Sequence, residues 1–266
     1  MAATNLVFLV GYRQARVQDA DRWGYLASAA LDRMATPHPR VRAWLLQNQA
    51  SVLAQQGQQE RAVQLLEQAL ALKESVLGND HPDVARTLAT LSSAVTDLGH
   101  PEKGLSLADR SVQIVVNLDP DNVLLANAAN NRAEALRLLG RHAEAARDYE
   151  TASRILREQL GPGHQDLAYP LQGMGENLLS AGDPSAAIPF LEEALAIRAR
   201  GEPHVALVGD TRFALARALW ESGGDRARAQ SLAVLAGKNY TNGDQPAPAK
   251  QRAVTTWLSA HGGASR

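Results

Sequence analysis

GNDHPDVARTLATLSSAVTDLGHPEKGLSLADRSV, residues 78–112, spans most of one structural period of this 266-residue chain. It opens on turn-forming residues and continues as two apolar-periodic segments separated by Gly99-His100-Pro101, without the alternation typical of a strand. Glycine ends helices because it adopts the left-handed conformation without a steric penalty, and proline is tolerated in a first turn. The stretch therefore predicts two antiparallel helices joined by a tight turn at Gly99.

The same period continues on both sides of this stretch. Turn glycines recur every 41 or 42 residues, at Gly57, Gly99, Gly140, Gly182 and Gly224. Small residues follow each glycine at five and at twelve positions: Ala62, Gly104, Ala145, Ala187 and Ala229, then Ala69, Ser111, Ala152, Ala194 and Ala236. Small side chains let two helices approach closely, so these positions predict the faces on which the helices pack.

The helix before each turn has its own small position, seven residues before the glycine. It is occupied by Ala50, Ser92, Ala133 and Gly175. Counting back from Gly224 places Arg217 there, whereas counting from Gly223 places Ala216 there. We therefore expect one extra residue in the last turn.

Clusters of helix-breaking residues divide the chain into six helix pairs. The pairs are expected to stack, because a single repeat cannot bury its own packing face. The predicted repeats are approximately 1–35, 38–78, 81–119, 122–160, 164–200 and 204–240. Residues 241–266 are predicted as a loop, a capping helix around Pro248 to Ala260 and a frayed tail. The first repeat is degenerate, since Ala15 stands where the later turns have glycine.

Composition excludes several classes of function. With 27 basic and 28 acidic residues, the chain lacks the positive charge that nucleic acids or anionic membranes require. The absence of cysteine excludes disulfides and thiolate metal sites. No stretch approaches the length of a membrane span. The apolar N-terminus is interpreted as a buried helix rather than a signal peptide, which makes the cytoplasm the expected location.

The glycine turn with small residues five and twelve positions later resembles the tetratricopeptide repeat, over residues 15–240. The longer period, the phrase at 78–112 and its partial repetition in GPGHQDLA, residues 161–168, resemble the kinesin-light-chain type. HEAT and armadillo repeats have a similar period but do not match the small-residue offsets. The resemblance implies an all-α fold, a right-handed superhelical solenoid of antiparallel helix pairs.

A narrower resemblance connects the C-terminal half to the repeat regions of bacterial, especially myxobacterial, serine/threonine protein kinases. It rests on residues 169–198, 212–233 and the closing AVTTWLSAH, residues 253–261. The chain contains no phosphate loop, His-Arg-Asp loop or Asp-Phe-Gly motif. This resemblance therefore implies a regulatory or docking region and no kinase activity.

No residue pattern indicates catalysis, a metal or a cofactor. Histidines precede the first helix in most repeats, at His38, His81, His164 and His204. They are about one repeat apart, too far to share an ion, and are expected to cap or pack. Glu192 and Glu193 are adjacent in a helix and point apart. Gly173 and Gly175 are interpreted as sites of close packing. We expect a protein that is not an enzyme.

The resemblance implies that the first helices line a concave groove, through residues thirteen, ten and six positions before the turn glycine. The candidate binding residues at these positions are Trp44, Gln47, Ser51, Asn127, Asn130, Glu134, Tyr169, Gln172, Glu176 and Arg217. Arg137 is added because it is close to the asparagines of the fourth repeat. Amides both donate to and accept from a peptide main chain. The sequence therefore predicts a scaffold that binds a protein or peptide, although these residues could equally be ordinary solvated side chains. The partner and the oligomeric state stay open.

Overall fold

The computed structural model describes residues 17–34, 36–118, 122–200, 205–242 and 247–261. Within these ranges the chain forms α-helices and no strands. The helices are α1 (Val17–Asp32), α2 (Pro39–Gln55), α3 (Gln59–Leu77), α4 (Pro82–Asp97), α5 (Pro101–Val116), α6 (Val123–Leu138), α7 (His142–Leu160), α8 (Ala168–Ser180), α9 (Pro184–Arg198), α10 (Val205–Glu221), α11 (Arg226–Asn242) and α12 (Pro248–His261). A short 3-10 turn, Gln165–Leu167, leads into α8. The all-α class predicted from the sequence is confirmed.

The chain divides into two compact units, residues 1–135 and 136–266, with the boundary inside α6. The first unit contains α1 to α5 and most of α6, and the second contains the remaining helices. The predicted first repeat is described only from Val17, as α1, and its first helix and Ala15 lie outside the described residues. None of the described helices combines the length and the hydrophobicity needed to cross a membrane.

The turns inside the helix pairs share one hydrogen-bond pattern. At Gly57, whose φ is 74°, the glycine N–H donates to the Ala54 carbonyl and the next N–H donates to Leu53 O. The same two bonds close the turns at Gly99, Gly140 and Gly182, all with positive φ. This pattern is the Schellman motif, which satisfies carbonyls that a helix end leaves without a donor. The positions that the sequence predicts as turns are therefore helix ends that favour glycine.

The last turn corrects one residue of the predicted series. Gly223, not Gly224, has the left-handed φ, 73°, and its N–H donates to Trp220 O. The N–H of Gly224 donates to Leu219 O and so takes the next place in the motif. Ala216, seven residues before Gly223, is fully buried, which confirms that this turn contains one extra residue.

The small residues of the repeat lie where helices meet. Those at five and twelve positions after the turn are all buried, for example Ala145, Ala194 and Ala229 at 0% exposure. Where the small residue is serine, its hydroxyl donates to a backbone carbonyl of a neighbouring helix. Ser92 Oγ lies 2.7 Å from Gly104 O, and Ser111 Oγ lies 2.8 Å from Ala85 O. Close approach thus leaves the buried hydroxyls satisfied.

The two mid-helix glycines of α8 are also packing sites, as predicted. A Cβ on Gly173 would lie 2.3 Å from Tyr149 Cε1, and one on Gly175 would lie 2.5 Å from Leu191 Cγ. Real side chains do not approach this closely, so larger residues at either position would force α8 away from its neighbours.

The last helix, α12, covers the end of the second unit. Val254 is buried, and Trp257 makes edge contacts with Phe213 and Trp220, at centroid distances of 6.0 and 5.6 Å. The Lys250 ammonium lies 2.7 Å from an Asp210 carboxylate oxygen. The side of α12 that carries Val254 and Trp257 therefore packs against the second unit.

Candidate functional site

The candidate binding residues lie on first helices in both units. Trp44, Gln47 and Ser51 belong to α2, Asn127, Asn130, Glu134 and Arg137 to α6, Tyr169, Gln172 and Glu176 to α8, and Arg217 to α10. Three of them, Trp44, Asn127 and Tyr169, are exposed, and the others are half-buried. The two units are described separately below.

In the first unit, Gln47 is fixed by a buried lysine of α3. Lys73 Nζ donates to Gln47 Oε1 at 2.6 Å and to Thr87 Oγ1 at 2.8 Å. The Thr87 hydroxyl also lies within hydrogen-bond distance of Gln47 Oε1, at 3.4 Å, and of the Asp83 carbonyl, at 2.9 Å. Gln47 Nε2 takes no part in this network. The carbonyl end of Gln47 is thus occupied, and only its two N–H donors stay available.

Lys73 is 2% exposed, so its charge is separated from water. Burial lowers the pKa of Lys73 to about 8, against the opposing attraction of Asp83. The three oxygens around Nζ, including the Asp83 carbonyl at 3.5 Å, satisfy the donors of the ammonium. A buried cation with this number of acceptors orients the neighbouring amide rigidly.

The amides of α6 in the first unit have two different environments. Asn131 Nδ2 donates to the Ala89 carbonyl of α4 at 2.9 Å, which makes Asn131 a link between successive first helices. Asn130 Nδ2 makes one long contact with Asn131 Oδ1, at 3.4 Å. Asn130 Oδ1 is buried and accepts no hydrogen bond from the described residues. Asn127, one turn earlier, is exposed.

In the second unit, α8 repeats the arrangement of α2 with an arginine. Thr211 Oγ1 donates to Gln172 Oε1 at 2.8 Å, and Gln172 Nε2 donates to Glu176 Oε1 at 2.7 Å. Arg198 Nη1 donates to the Leu207 carbonyl at 2.6 Å, and the same carbonyl lies 3.0 Å from Thr211 Oγ1. Burial lowers the pKa of Arg198 from its ordinary value.

The aromatic and charged candidates of the second unit surround this network. The Arg198 guanidinium lies 5.2 Å from the centre of the Tyr169 ring, a cation–π contact. Arg137 Nη2 lies 3.7 Å from Glu176 Oε2. Tyr169, Gln172, Glu176 and Arg137 therefore form one connected surface in which Glu176 is the acidic group.

The cations and threonines that hold the glutamines were not predicted from the sequence. The signal was present in the numbering: Tyr169 and Gln172 follow Trp44 and Gln47 by 125 residues, and Arg198 follows Lys73 by the same interval. Recognising it requires knowing that a second-helix residue contacts two successive first helices, which the residue pattern alone does not state.

The last repeat offers less of the predicted surface. Asp210 and Phe213, at its positions thirteen and ten, contact Lys250 and Trp257 of α12. Tyr240 Oη also donates to Asp210 at 2.8 Å, and burial raises the pKa of Tyr240. Arg217 pairs with Glu221 of its own helix at 3.4 Å. The groove-facing positions of α10 are therefore engaged within the second unit.

Two of the histidines before first helices act as caps, whereas His38 makes no capping bond and its Nε2 lies 3.3 Å from Thr36 Oγ1. The Asp83 N–H donates to His81 Nδ1 at 3.0 Å, and the Asp166 N–H donates to His164 Nδ1 at 3.3 Å. His204 lies outside the described residues. Among all the residues that the structure describes, no group of three His, Asp or Glu side chains is placed to hold a metal ion.

Stacked helix pairs with buried small residues and polar first-helix faces define an α-helical repeat protein. The family model of the tetratricopeptide repeat matches residues 40–115 and 124–200, more than half of the chain. This chain belongs to the tetratricopeptide repeat family. No curated protein matches it.

Solved structures share the fold at low sequence identity. A kinesin light chain of Podosopora anserina with nearly identical TPR-like repeats is 24% identical, with a TM-score of 0.59 over 77% of this chain and 97% of that chain. NprR in complex with its cognate peptide NprX is 11% identical, with a TM-score of 0.74 over 100% of this chain and 74% of that chain. Rap protein complexed with Competence and Sporulation Factor is 12% identical, with a TM-score of 0.65 over 98% and 86%. The predicted tetratricopeptide fold is confirmed, whereas the resemblance to kinase repeat regions stays a prediction.

Proposed function

We propose that this protein is a non-catalytic scaffold that binds an extended peptide segment of a partner protein along its first helices. The observation that carries the proposal is Asn130 Oδ1, a buried carbonyl oxygen that accepts no hydrogen bond from the described residues. Leaving such a group unpaired costs about 1–3 kcal/mol. A peptide N–H satisfies it when the Asn130 side chain turns toward the bound segment, and the exposed Asn127 on the same helix supplies a second amide.

The second unit has its own set of groups suited to binding a peptide segment. Glu176, held by Gln172 at 2.7 Å, presents a carboxylate, and the exposed Tyr169 presents an aromatic ring. These groups suit peptide N–H donors and apolar side chains. Two proteins with this fold were solved as complexes, NprR with its cognate peptide NprX and Rap with Competence and Sporulation Factor, which supports a peptide or protein as the ligand class.

The test uses phage-displayed random peptides selected on the full chain. The selected pool should lose at least about tenfold in affinity for Asn130→Ala. The thermal unfolding temperature of this variant should be unchanged or slightly higher, because the substitution removes an unpaired buried oxygen.

Asn131→Ala is the matched control, since it changes the same residue type at the next position. It removes the bond to the Ala89 carbonyl and should lower the free energy of unfolding by about 1 kcal/mol. If Asn130→Ala binds the selected peptides as well as the wild type, the assignment of the face is wrong.

The alternative function is a docking or regulatory region of a serine/threonine kinase signalling protein. It rests on the resemblance of residues 169–198, 212–233 and 253–261. The neighbouring reading frame tests it, because a kinase motif set encoded in frame upstream is its direct consequence. An upstream sequence without those motifs would remove its basis.

A further inference from the structure

The second helix of the last repeat differs from earlier second helices at an exposed position. In the four preceding repeats, the residue ten positions after the turn glycine is acidic: Glu67, Asp109, Glu150 and Glu192. In α11 these positions are counted from Gly224, because this count places Ala229 and Ala236 at positions five and twelve, where both are fully buried. The corresponding residue is Val234, followed by Leu235, and their side chains are 45% and 40% exposed. An apolar surface thus replaces an acidic one.

The acidic residues at this position connect one repeat to the next. Glu67 pairs with Lys103 at 2.9 Å, and Glu192 pairs with Arg228 at 2.6 Å. In both pairs the cation belongs to the second helix of the following repeat. Asp109 pairs instead with Arg132 of the following first helix, at 3.3 Å. Val234 therefore occupies the position at which two earlier repeats contact a following second helix.

A groove of about 280 Å³ lies between α11 and α12 beside Val234. Val234, Val254 and Leu258 form its apolar part, and Lys238, Gln251 and Thr255 are among its polar residues. Gln251 Oε1 is buried and accepts no hydrogen bond from the described residues. Terminal repeats usually present a polar outer face, so an apolar groove with a buried acceptor is suited to an occupant.

The charged residues of α11 and α12 are all basic. Neither α11 nor α12 contains an acidic residue, and together they contain five lysines and arginines. Arg228 and Lys250 pair with acidic residues of preceding helices. Lys238 and Arg252 are exposed and form no ion pair with any other described residue. The groove therefore complements an apolar surface flanked by carboxylates.

We propose that the groove between α11 and α12 binds an amphipathic acidic helix of a partner protein, packed as the second helix of a further repeat. The apolar face of this helix covers Val234 and Leu258, above the buried Val254 at the floor of the groove. Flanking carboxylates pair with Lys238 and Arg252, and a hydroxyl or amide donates to Gln251 Oε1 when that side chain turns toward the helix. This interaction uses none of the residues assigned to peptide binding and is independent of that proposal.

The chain itself supplies a rational probe. A labelled synthetic peptide with the sequence of residues 59–77, that of α3, is amphipathic and carries Glu60, Glu67 and Glu74. Fluorescence anisotropy with the full-length protein should show saturable binding. Val234→Glu, which restores the acidic residue of earlier repeats, should weaken it by at least about tenfold. A peptide with the three glutamates replaced by glutamine should bind several-fold more weakly.

Val116→Glu is the matched control, because Val116 is equally exposed, at 46%, but lies on α5 in the other unit. It should leave peptide binding unchanged. Thermal unfolding checks that Val234→Glu is folded, and Leu235→Glu serves as the second variant if it is not. Absence of saturable binding, or equal effects of Val234→Glu and Val116→Glu, overturns the proposal.

Two other occupants are separated by direct measurements. Analytical ultracentrifugation that shows self-association abolished by Val234→Glu identifies a second copy of this chain and overturns the partner-helix proposal. Cosedimentation with phosphatidylserine vesicles that requires Val234 identifies an anionic membrane and overturns it as well. Neither effect is expected.

Discussion

The α2 region of the first unit and the α8 region of the second use the same three positions to hold a glutamine, but with different chemistry. Around Gln47 the cation is Lys73, which donates directly to the glutamine oxygen at 2.6 Å. Around Gln172 the cation donates to a backbone carbonyl instead, and Thr211 donates to the glutamine oxygen at 2.8 Å. The same three repeat positions thus fix the glutamine oxygen through a bond from the cation in one region and through a bond from the threonine in the other.

This difference decides what each region presents. Gln47 keeps its N–H donors available, whereas Gln172 uses Nε2 to hold Glu176. The first region therefore offers hydrogen-bond donors beside an exposed tryptophan, and the second offers a carboxylate beside an exposed tyrosine. Lysine and arginine are not interchangeable here, because only the planar guanidinium also stacks on the Tyr169 ring.

The largest effect should come from breaking the packing that both regions share. Ala69 and Ala194 are fully buried, each one helical turn before its cation. Ala69→Arg and Ala194→Arg should each lower the free energy of unfolding by about 3–5 kcal/mol, because bulk and charge enter a close helix contact. Chemical denaturation measures both.

Arg110→Ala is the control for these two variants. Arg110 is half-buried and pairs with Glu74 at 2.6 Å, away from the small-residue positions. Its loss should cost less than about 1 kcal/mol. Similar losses for all three variants would show that the small positions do not carry the packing.

The next effect separates the two cations. Arg198 is 8% exposed and contacts both the Leu207 carbonyl and the Tyr169 ring. Arg198→Met should lower the free energy of unfolding by about 2 kcal/mol at neutral pH. Lys73→Met should cost less, because burial disfavours both cations but only Arg198 has a cation–π contact among the described residues. A larger loss for Lys73→Met would reverse this ranking.

These two regions also show what sequence can and cannot predict. The small residues at fixed offsets and the glycine turns predicted the helix pairs, because sterics constrain those positions directly. The extra residue in the last turn was also predicted, from the position of Ala216, but only the backbone dihedrals show that Gly223 rather than Gly224 takes the left-handed conformation. The candidate residues were located on first helices, but their hydrogen bonds to Lys73 and Thr211 depend on the packing of successive repeats, which periodicity does not encode.

A pH titration sharpens the contrast between lysine and arginine. With its pKa lowered to about 8 by burial, folded Lys73 releases its proton while the unfolded chain keeps its own up to about pH 10.5. The unfolded state binds more protons in this window, so the stability of the wild type relative to Lys73→Met should rise between pH 8 and 10. The expected gain is about 1–2 kcal/mol, measured by denaturation at each pH.

Arg198→Met provides the comparison for this titration. A guanidinium keeps its proton throughout the window, so the difference between wild type and Arg198→Met should not change from pH 8 to 10. A flat difference for Lys73→Met would mean that the Lys73 ammonium is not disfavoured by its surroundings.

The smallest effect contrasts the outer surfaces of the same two units. Arg228 makes two bonds to the Glu192 carboxylate, at 2.6 and 2.9 Å, whereas Lys103 makes one bond to Glu67 at 2.9 Å. Both pairs are partly exposed, so each is worth at most about 1 kcal/mol, and the bidentate geometry should give the larger share. A double-mutant cycle on each pair should therefore give a larger coupling energy for Arg228–Glu192, and both should decline with added salt. Equal coupling energies would mean that solvent screening outweighs the geometry at these positions.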